Sequence, residues 1–264
     1  MRHIRKYWAI FKIQLLNVMA YPSELLGRSF SIIIFMLVFA SLWRTAYGIS
    51  GSDTLKGITL PSMIWYLMMA ETIELSRPRV STTISQQVKT GELAYILNKP
   101  YHFLIYHFST SFADSLFRIL TNALIGSTIV MLMFGAPPPV WGWPLVAITL
   151  IGAWGLNFCM MALIGLAAFI TEDVSSFEWI FQKALFILGG MMIPLEFLPD
   201  WLRLIAERLP FAYAMYGPAR LFISPSLPDF YALVSGQLIW LAVLVGLLIL
   251  AYARGVRRLA VNGG

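Results

Sequence analysis

The sequence is short of charge. Of its 264 residues only 12% are Asp, Glu, Lys or Arg, while 59% are hydrophobic. Soluble domains carry about 25% charged and 45–50% apolar residues, so this chain has too little polarity to cover a surface in water. The bilayer is the solvent its composition fits. Cysteine occurs once, as Cys159, which excludes a disulfide framework and any multi-cysteine metal site. Set between Phe158 and Met160 in an apolar run, it reads as packing. The three histidines, His3, His102 and His107, are too scattered for a histidine metal centre. No G-x-x-x-x-G-K-[ST], H-E-x-x-H or G-x-S-x-G occurs, so the chain carries neither the usual ATP-binding loop nor a support for covalent or metal catalysis. The net charge of +6 suits anionic lipid as well as nucleic acid, and the hydropathy decides for lipid.

What is present is a series of apolar runs. A bilayer core about 30 Å thick needs about 20 mostly apolar residues per helix. Residues 230–253 hold no charge. A longer uncharged stretch, 119–171, is cut by Gly135-Ala136-Pro137-Pro138-Pro139 and Gly142-Trp143-Pro144, and consecutive prolines cannot continue a helix. It reads as two spans and a turn. Weaker runs at about 25–46, 58–76 and 176–195 bring the expected total to six, the fifth shortened by Glu178 and Lys183. With the N-terminus inside, cytoplasmic segments collect eleven basic residues (Arg2, Arg5, Lys6, Lys12, Arg77, Arg79, Lys89, Lys99, Arg254, Arg257, Arg258) against five outside (Arg44, Lys56, Arg203, Arg208, Arg220). Basic residues in short loops favour the cytoplasm, so both termini are expected there. Ile4, Trp8, Phe11, Leu15 and Met19 fall on one helical face, with Arg5, Lys12 and Asn17 elsewhere. Residues 1–20 therefore read as a helix lying in the cytoplasmic interface rather than a secretory signal; the alternative is a cytoplasmic extension of the first span, against which Tyr21-Pro22 argues for a break.

Three groups of residues stand out for function. In the loop 77–103, Val80, Ile84 and Val88 repeat at four-residue spacing, Gly91 stops the helix, and Glu92-Leu93 open another apolar turn. This is either a docking surface for a second protein or a helix resting on the membrane. After the fifth span, residues 196–223 are too charged to span and too apolar for an exposed loop. Two short helices broken at Pro210 fit, serving as an external gate or as an interfacial aromatic belt. Third, ionisable groups lie within spans: Glu71 and Glu74, three apart, on the second, and Asp114 and Arg118 on the third, four apart and so able to meet on one helix face, with Arg28 beside Glu24 on the first. Either carboxylate of the second span could face Arg118. The set reads as neutralised pairs that fix helix register, or as a polar substrate pathway. Ser175 and Glu178 have capping-box spacing, leaving Glu172 and Asp173 for a basic partner.

The amphipathic N-terminal helix, six spans and helical loop between the second and third resemble a type-2 ABC exporter permease. The likeness is most specific at Gly91-Glu92-Leu93, Leu97 and Lys99-Pro100, and at Gly190, Ile193-Pro194, Leu198-Pro199, Trp201 and Leu209-Pro210. The resemblance implies one all-α transmembrane permease domain over 1–264, in the cytoplasmic (inner or plasma) membrane. It implies that Val80, Ile84, Val88, Gly91, Glu92 and Leu93 couple to a separate nucleotide-binding ATPase subunit, which would hold ATP and Mg while this chain holds no cofactor. It implies a second permease subunit, identical or related, and an external gate that includes Pro194, Leu198, Pro199, Trp201 and Pro210. The pathway would lie mainly between the second and fifth spans, with Trp65, Met68 and Met69 on one and Phe181, Leu185, Leu188 and Met192 on the other. The expected activity is ATP-driven export of an amphipathic or hydrophobic, drug-like or lipid-like substrate. The alternatives are a secondary transporter or channel, disfavoured because the acids crowd near the cytoplasmic ends, and a lipid-acting membrane enzyme, disfavoured by the missing motifs.

Overall fold

The computed structural model describes residues 2–20, 22–171 and 173–262, with side-chain surroundings for 5–20, 30–171 and 173–257. Tyr21 of the expected break, Glu172 and the side chains of Arg2, Ile4, Glu24, Arg28 and Arg258 lie outside them. The chain is almost entirely helical. Helix α1 (Arg2–Ala20) is followed by α2 (Pro22–Ser50), a two-residue hairpin of β1 (Thr54–Leu55) and β2 (Ile58–Thr59), and α3 (Leu60–Leu75). Then come α4 (Val80–Lys89), α5 (Glu92–Leu97), α6 (Phe103–Phe134), α7 (Trp143–Thr171) and α8 (Ser175–Leu188). Three short helices, α9 (Asp200–Ala206), α10 (Pro210–Ala214) and α11 (Tyr216–Ile223), precede the long α12 (Leu227–Asn262).

Among the described residues four helical stretches are long and apolar enough to cross a membrane: Phe30–Ser50, Phe103–Phe134, Val140–Thr171 and Leu227–Arg257. The other two expected spans come out shorter. Helix α3 has 16 residues and α8 has 14, about 24 and 21 Å at 1.5 Å per residue, against a bilayer core of about 30 Å. Each has a local cause. The second run begins at 58 in sequence, but Ile58 and Thr59 pair with Leu55 and Thr54 across Lys56-Gly57. Both turn residues have positive φ (51° and 78°), the signature of a two-residue hairpin turn. Thr59 then caps α3 by accepting from the Ser62 amide. The fifth run, expected over 176–195, stops as a helix at Leu188, because Gly189-Gly190 follows and Gly190 adopts φ +68°.

Helix α3 is the central post. Every residue from Met63 to Ile73 is buried, as a helix apolar on all sides requires. It packs against α2, α6 and α11, while α7 packs against α4 and α12. Small residues permit the closest approaches. At Gly165 of α7 an added Cβ would stand 2.9 Å from Ser81 Cα, so α4 lies directly on that helix. Gln237 of α12 donates to the carbonyls of Thr149 and Tyr213, tying α7, α10 and α12 together.

Helix α1 is more than a surface float. It packs along α6, with Phe11 buried against Phe112 at a ring distance of 5.8 Å, Lys6 donating to the Pro100 carbonyl and the Tyr7 hydroxyl accepting from the His102 amide. Of the expected apolar face, Trp8 and Met19 stay exposed.

Gly190 offers a direct check on the fold. A Cβ there would sit 2.9 Å from the Tyr66 hydroxyl oxygen, and the left-handed backbone alone costs a side chain about 1–2 kcal/mol. Gly190→Ala is expected to lower the thermal unfolding midpoint in detergent; an unchanged midpoint would show that this turn is not held as described.

Candidate functional site

Four residues carry the path from the end of α3 into α4, and they open a cavity. Glu71 and Glu74 lie on the last turns of α3, Ser76 closes the helix, and Arg77-Pro78-Arg79 lead to Val80. The cavity here measures about 530 Å³. Its wall includes Phe35 and Phe39 of α2, Glu71 and Glu74 of α3, Arg118 of α6, Met161 of α7 and Glu178, Gln182 and Phe186 of α8. Met191 and Met192 close one side, and Arg77, Arg79 and Thr82 stand at the α4 joint.

Of the two arrangements the spacing allowed, Arg118 takes the one within its own helix, and neither Glu71 nor Glu74 is bonded to it. Arg118 pairs with Asp114 one turn back on α6, and it donates to the carbonyls of Leu75 and Arg77 at 3.2 Å each. A guanidinium with five donors suits this task of satisfying helix-end carbonyls while holding a carboxylate. Glu74 pairs instead with Arg77 at 3.1 Å, and the Arg77 guanidinium also lies 5.4 Å from the Phe181 ring centre. Glu71 is buried, and its Oε2 has no hydrogen-bond partner. Glu71, Glu74 and Arg118 therefore share one cavity wall, as the spacing suggested, whereas Asp114 stands behind Arg118.

The residues assigned to the pathway divide between two places. Trp65, Met68 and Met69 line an apolar groove of about 440 Å³ with Leu124 and Met131 of α6 and Val146 and Leu150 of α7. That groove lies on another side of α3. Of the second set, Met192 reaches the charged cavity, but it sits beyond the end of α8 rather than on it. Phe181 packs on Phe211 at 5.6 Å, Leu185 is fully buried, and Leu188 packs against the cluster of Leu195, Ala206 and Ala212. Phe181 and Leu188 face the short helices. The face of α8 turned to the cavity is Glu178, Gln182 and Phe186, four residues apart each time. That spacing was legible in the sequence; the contributions of Phe35, Phe39, Met161 and Met191 were not, because they depend on which helices meet.

The segment assigned to coupling is two helices, α4 and α5, joined at Gly91 with φ +74°. Val80, Ile84 and Leu93 are buried and Val88 half-buried. Their apolar row therefore seats the segment inside the subunit and is not the free surface. The side open to a partner carries Thr83, Gln86, Thr90, Gly91, Glu92 and Tyr95, the last 65% exposed. Two polar links join α4 to the start of α8. The Thr82 hydroxyl donates to Glu178 at 2.9 Å, and Lys89 pairs with Asp173 at 2.8 Å. The Lys89 ammonium and the Ser175 amide beside Asp173 hold its carboxyl well below the usual carboxylate range. The expected capping box is thus replaced: Asp173, not Ser175, takes the helix-end amide, and Glu178 serves α4. Asp173 is correspondingly engaged within the chain.

On the far side, the segment expected as two helices forms three, preceded by a short 3-10 turn at Leu195–Phe197. Pro210 begins α10 rather than merely interrupting a helix, since its fixed φ suits a first turn. Pro194 and Pro210 are buried, Leu198 is half-buried, and Pro199 and Trp201 are exposed. Tyr66 donates to the Gly190 carbonyl, while Tyr216 and Arg220 of α11 both bond Glu196 Oε1 at 2.8 Å. This cluster ties the central post α3 to the end of α8 and to the short helices.

Among the described residues no group of three His, Cys, Asp or Glu is placed to hold a metal ion. A family model described as ABC-2 family transporter protein matches residues 30–263. No curated protein matches the chain.

Proposed function

The chain belongs to the ABC-2 family of transporter proteins, a multi-pass membrane protein, and we propose that it is the permease subunit of an ATP-driven exporter. In this reading the whole chain acts as one permease domain, α3 and α8 complete six crossings, and both termini and α4 lie in the cytoplasm of the inner or plasma membrane. A separate ATPase subunit binds ATP and Mg, and a second permease, identical or related, completes the pathway. The cargo is amphipathic or hydrophobic.

One observation carries the proposal: the α4 segment is part of the cavity. Arg77, Arg79 and Thr82 stand in its wall, and Thr82 is bonded to Glu178, which stands there too. A partner that moves α4 therefore moves the cavity wall and α8 with it. In this reading the short helices around Glu196 form the external gate at the opposite end. Switching between inward and outward access needs a contact difference between two states, and ATP binding by the partner supplies it, since this chain has no P-loop. The test is purification of the native complex in mild detergent. A stoichiometric partner containing G-x-x-x-x-G-K-[ST] is expected; a chain that purifies alone and moves substrate without nucleotide would overturn the proposal.

A further inference from the structure

A pathway needs something to grip its cargo, and the charged cavity contains one carboxylate whose bonding the protein leaves incomplete. Glu71 is only 5% exposed, yet its Oε2 has no hydrogen-bond partner. The other two acids on the wall are engaged, Glu74 by Arg77 and Glu178 by Thr82. The three arginines of the same wall are not bonded to Glu71. Arg77 serves Glu74, Arg118 serves Asp114 and two carbonyls, and Arg79 is exposed at the mouth. An ionised carboxylate at this depth requires a counter-charge.

The remaining wall says what kind of cation fits. Phe35 and Phe39 stack with ring centres 4.2 Å apart, and Phe186 and three methionines join them. Aromatic faces attract cations, and attract them more strongly where water is excluded. Thioether side chains adapt to varied apolar shapes. A small hydrated ion would gain little from such a wall, whereas a charge carried on a bulky apolar body would gain from all of it.

We infer that this cavity is a binding site for lipophilic organic cations, with Glu71 as the group that recognises the positive charge. The inference rests on the exporter reading for its place in a transport cycle, but the site itself is a property of this chain.

The test uses membranes containing the full chain and two probes, tetraphenylphosphonium and the neutral triphenylphosphine oxide. Saturable binding of the cation is expected, at least tenfold weaker in Glu71→Gln, with binding of the neutral compound unchanged. Absence of saturable cation binding to the natural chain would overturn the inference, as would an equal loss for both probes. On the unsubstituted chain, the cation and not the neutral compound should slow modification of Glu71 by dicyclohexylcarbodiimide; equal protection by both would contradict the assignment even if Glu71→Gln failed to insert. ATP-driven uptake of tetraphenylphosphonium into inside-out vesicles separates the two readings. Binding without ATP-driven movement would sink the exporter and spare the site, whereas ATP-driven movement of other cargo without cation binding would sink the site alone.

Discussion

Glu92→Lys is expected to reduce ATP-driven transport at least tenfold while the chain still inserts and folds. Glu92 opens α5 just after the left-handed Gly91 and is exposed. An acid in the first turn of a helix favours its dipole, so the reversal costs the fold only about 0.3–1 kcal/mol. Its effect on a partner is larger. Like charges brought together at an interface cost several kcal/mol, and a tenfold weakening needs only about 1.4 kcal/mol. The measurement is recovery of the ATPase subunit with the purified chain, alongside transport in the same membranes. Full recovery and full transport would remove Glu92 from the docking surface. Leu93→Lys is a poorer probe despite its position, because Leu93 is 5% exposed and a lysine there would disturb α5 itself.

Arg118→Met is expected to have the largest effect on stability. The side chain is 4% exposed, holds Asp114, and donates to the Leu75 and Arg77 carbonyls where α3 ends. Methionine keeps much of the volume and removes every donor. Asp114 then loses its ion pair, and two carbonyls at the joint to α4 lose their donor. Breaking a buried pair by removing one partner costs on the order of 3 kcal/mol, here moderated by Asp114 being 31% exposed. Asp114→Asn should accordingly cost less. Unfolding in mixed micelles of increasing denaturing detergent measures both. Equal and small losses would show that Arg118 does not anchor the end of α3.

Much of this architecture was legible in the sequence for a simple reason. Where a helix is long and uncharged, as in α7 and α12, hydropathy alone fixes it, and the proline cluster after Gly135 fixes the turn between α6 and α7. The chain read less well where a tertiary contact decides. Val80, Ile84 and Val88 repeat like an exposed docking stripe, but the same periodicity seats a helix, and Gly165 on α7 leaves room for it to do so. On α8, Phe181 packs on Phe211 of the short helices, whereas Gln182 and Phe186 line the cavity. Arg118 has the partner four residues away that its spacing offered; its bonds to the Leu75 and Arg77 carbonyls were not legible, because they depend on where the end of α3 lies. The hairpin at Lys56-Gly57 carried a turn signal that a search for apolar runs passes over.

In the proposed exporter this chain supplies the passage and another chain supplies the energy. Inside-out membrane vesicles containing the chain with its ATPase partner, or the chain alone, test it most directly. Uptake of a lipophilic substrate against its gradient is expected only when the partner and ATP are both present. It should vanish when the partner's P-loop lysine is replaced. Uptake of the same size by the chain alone, without nucleotide, would show that the chain is not an ATP-driven exporter subunit.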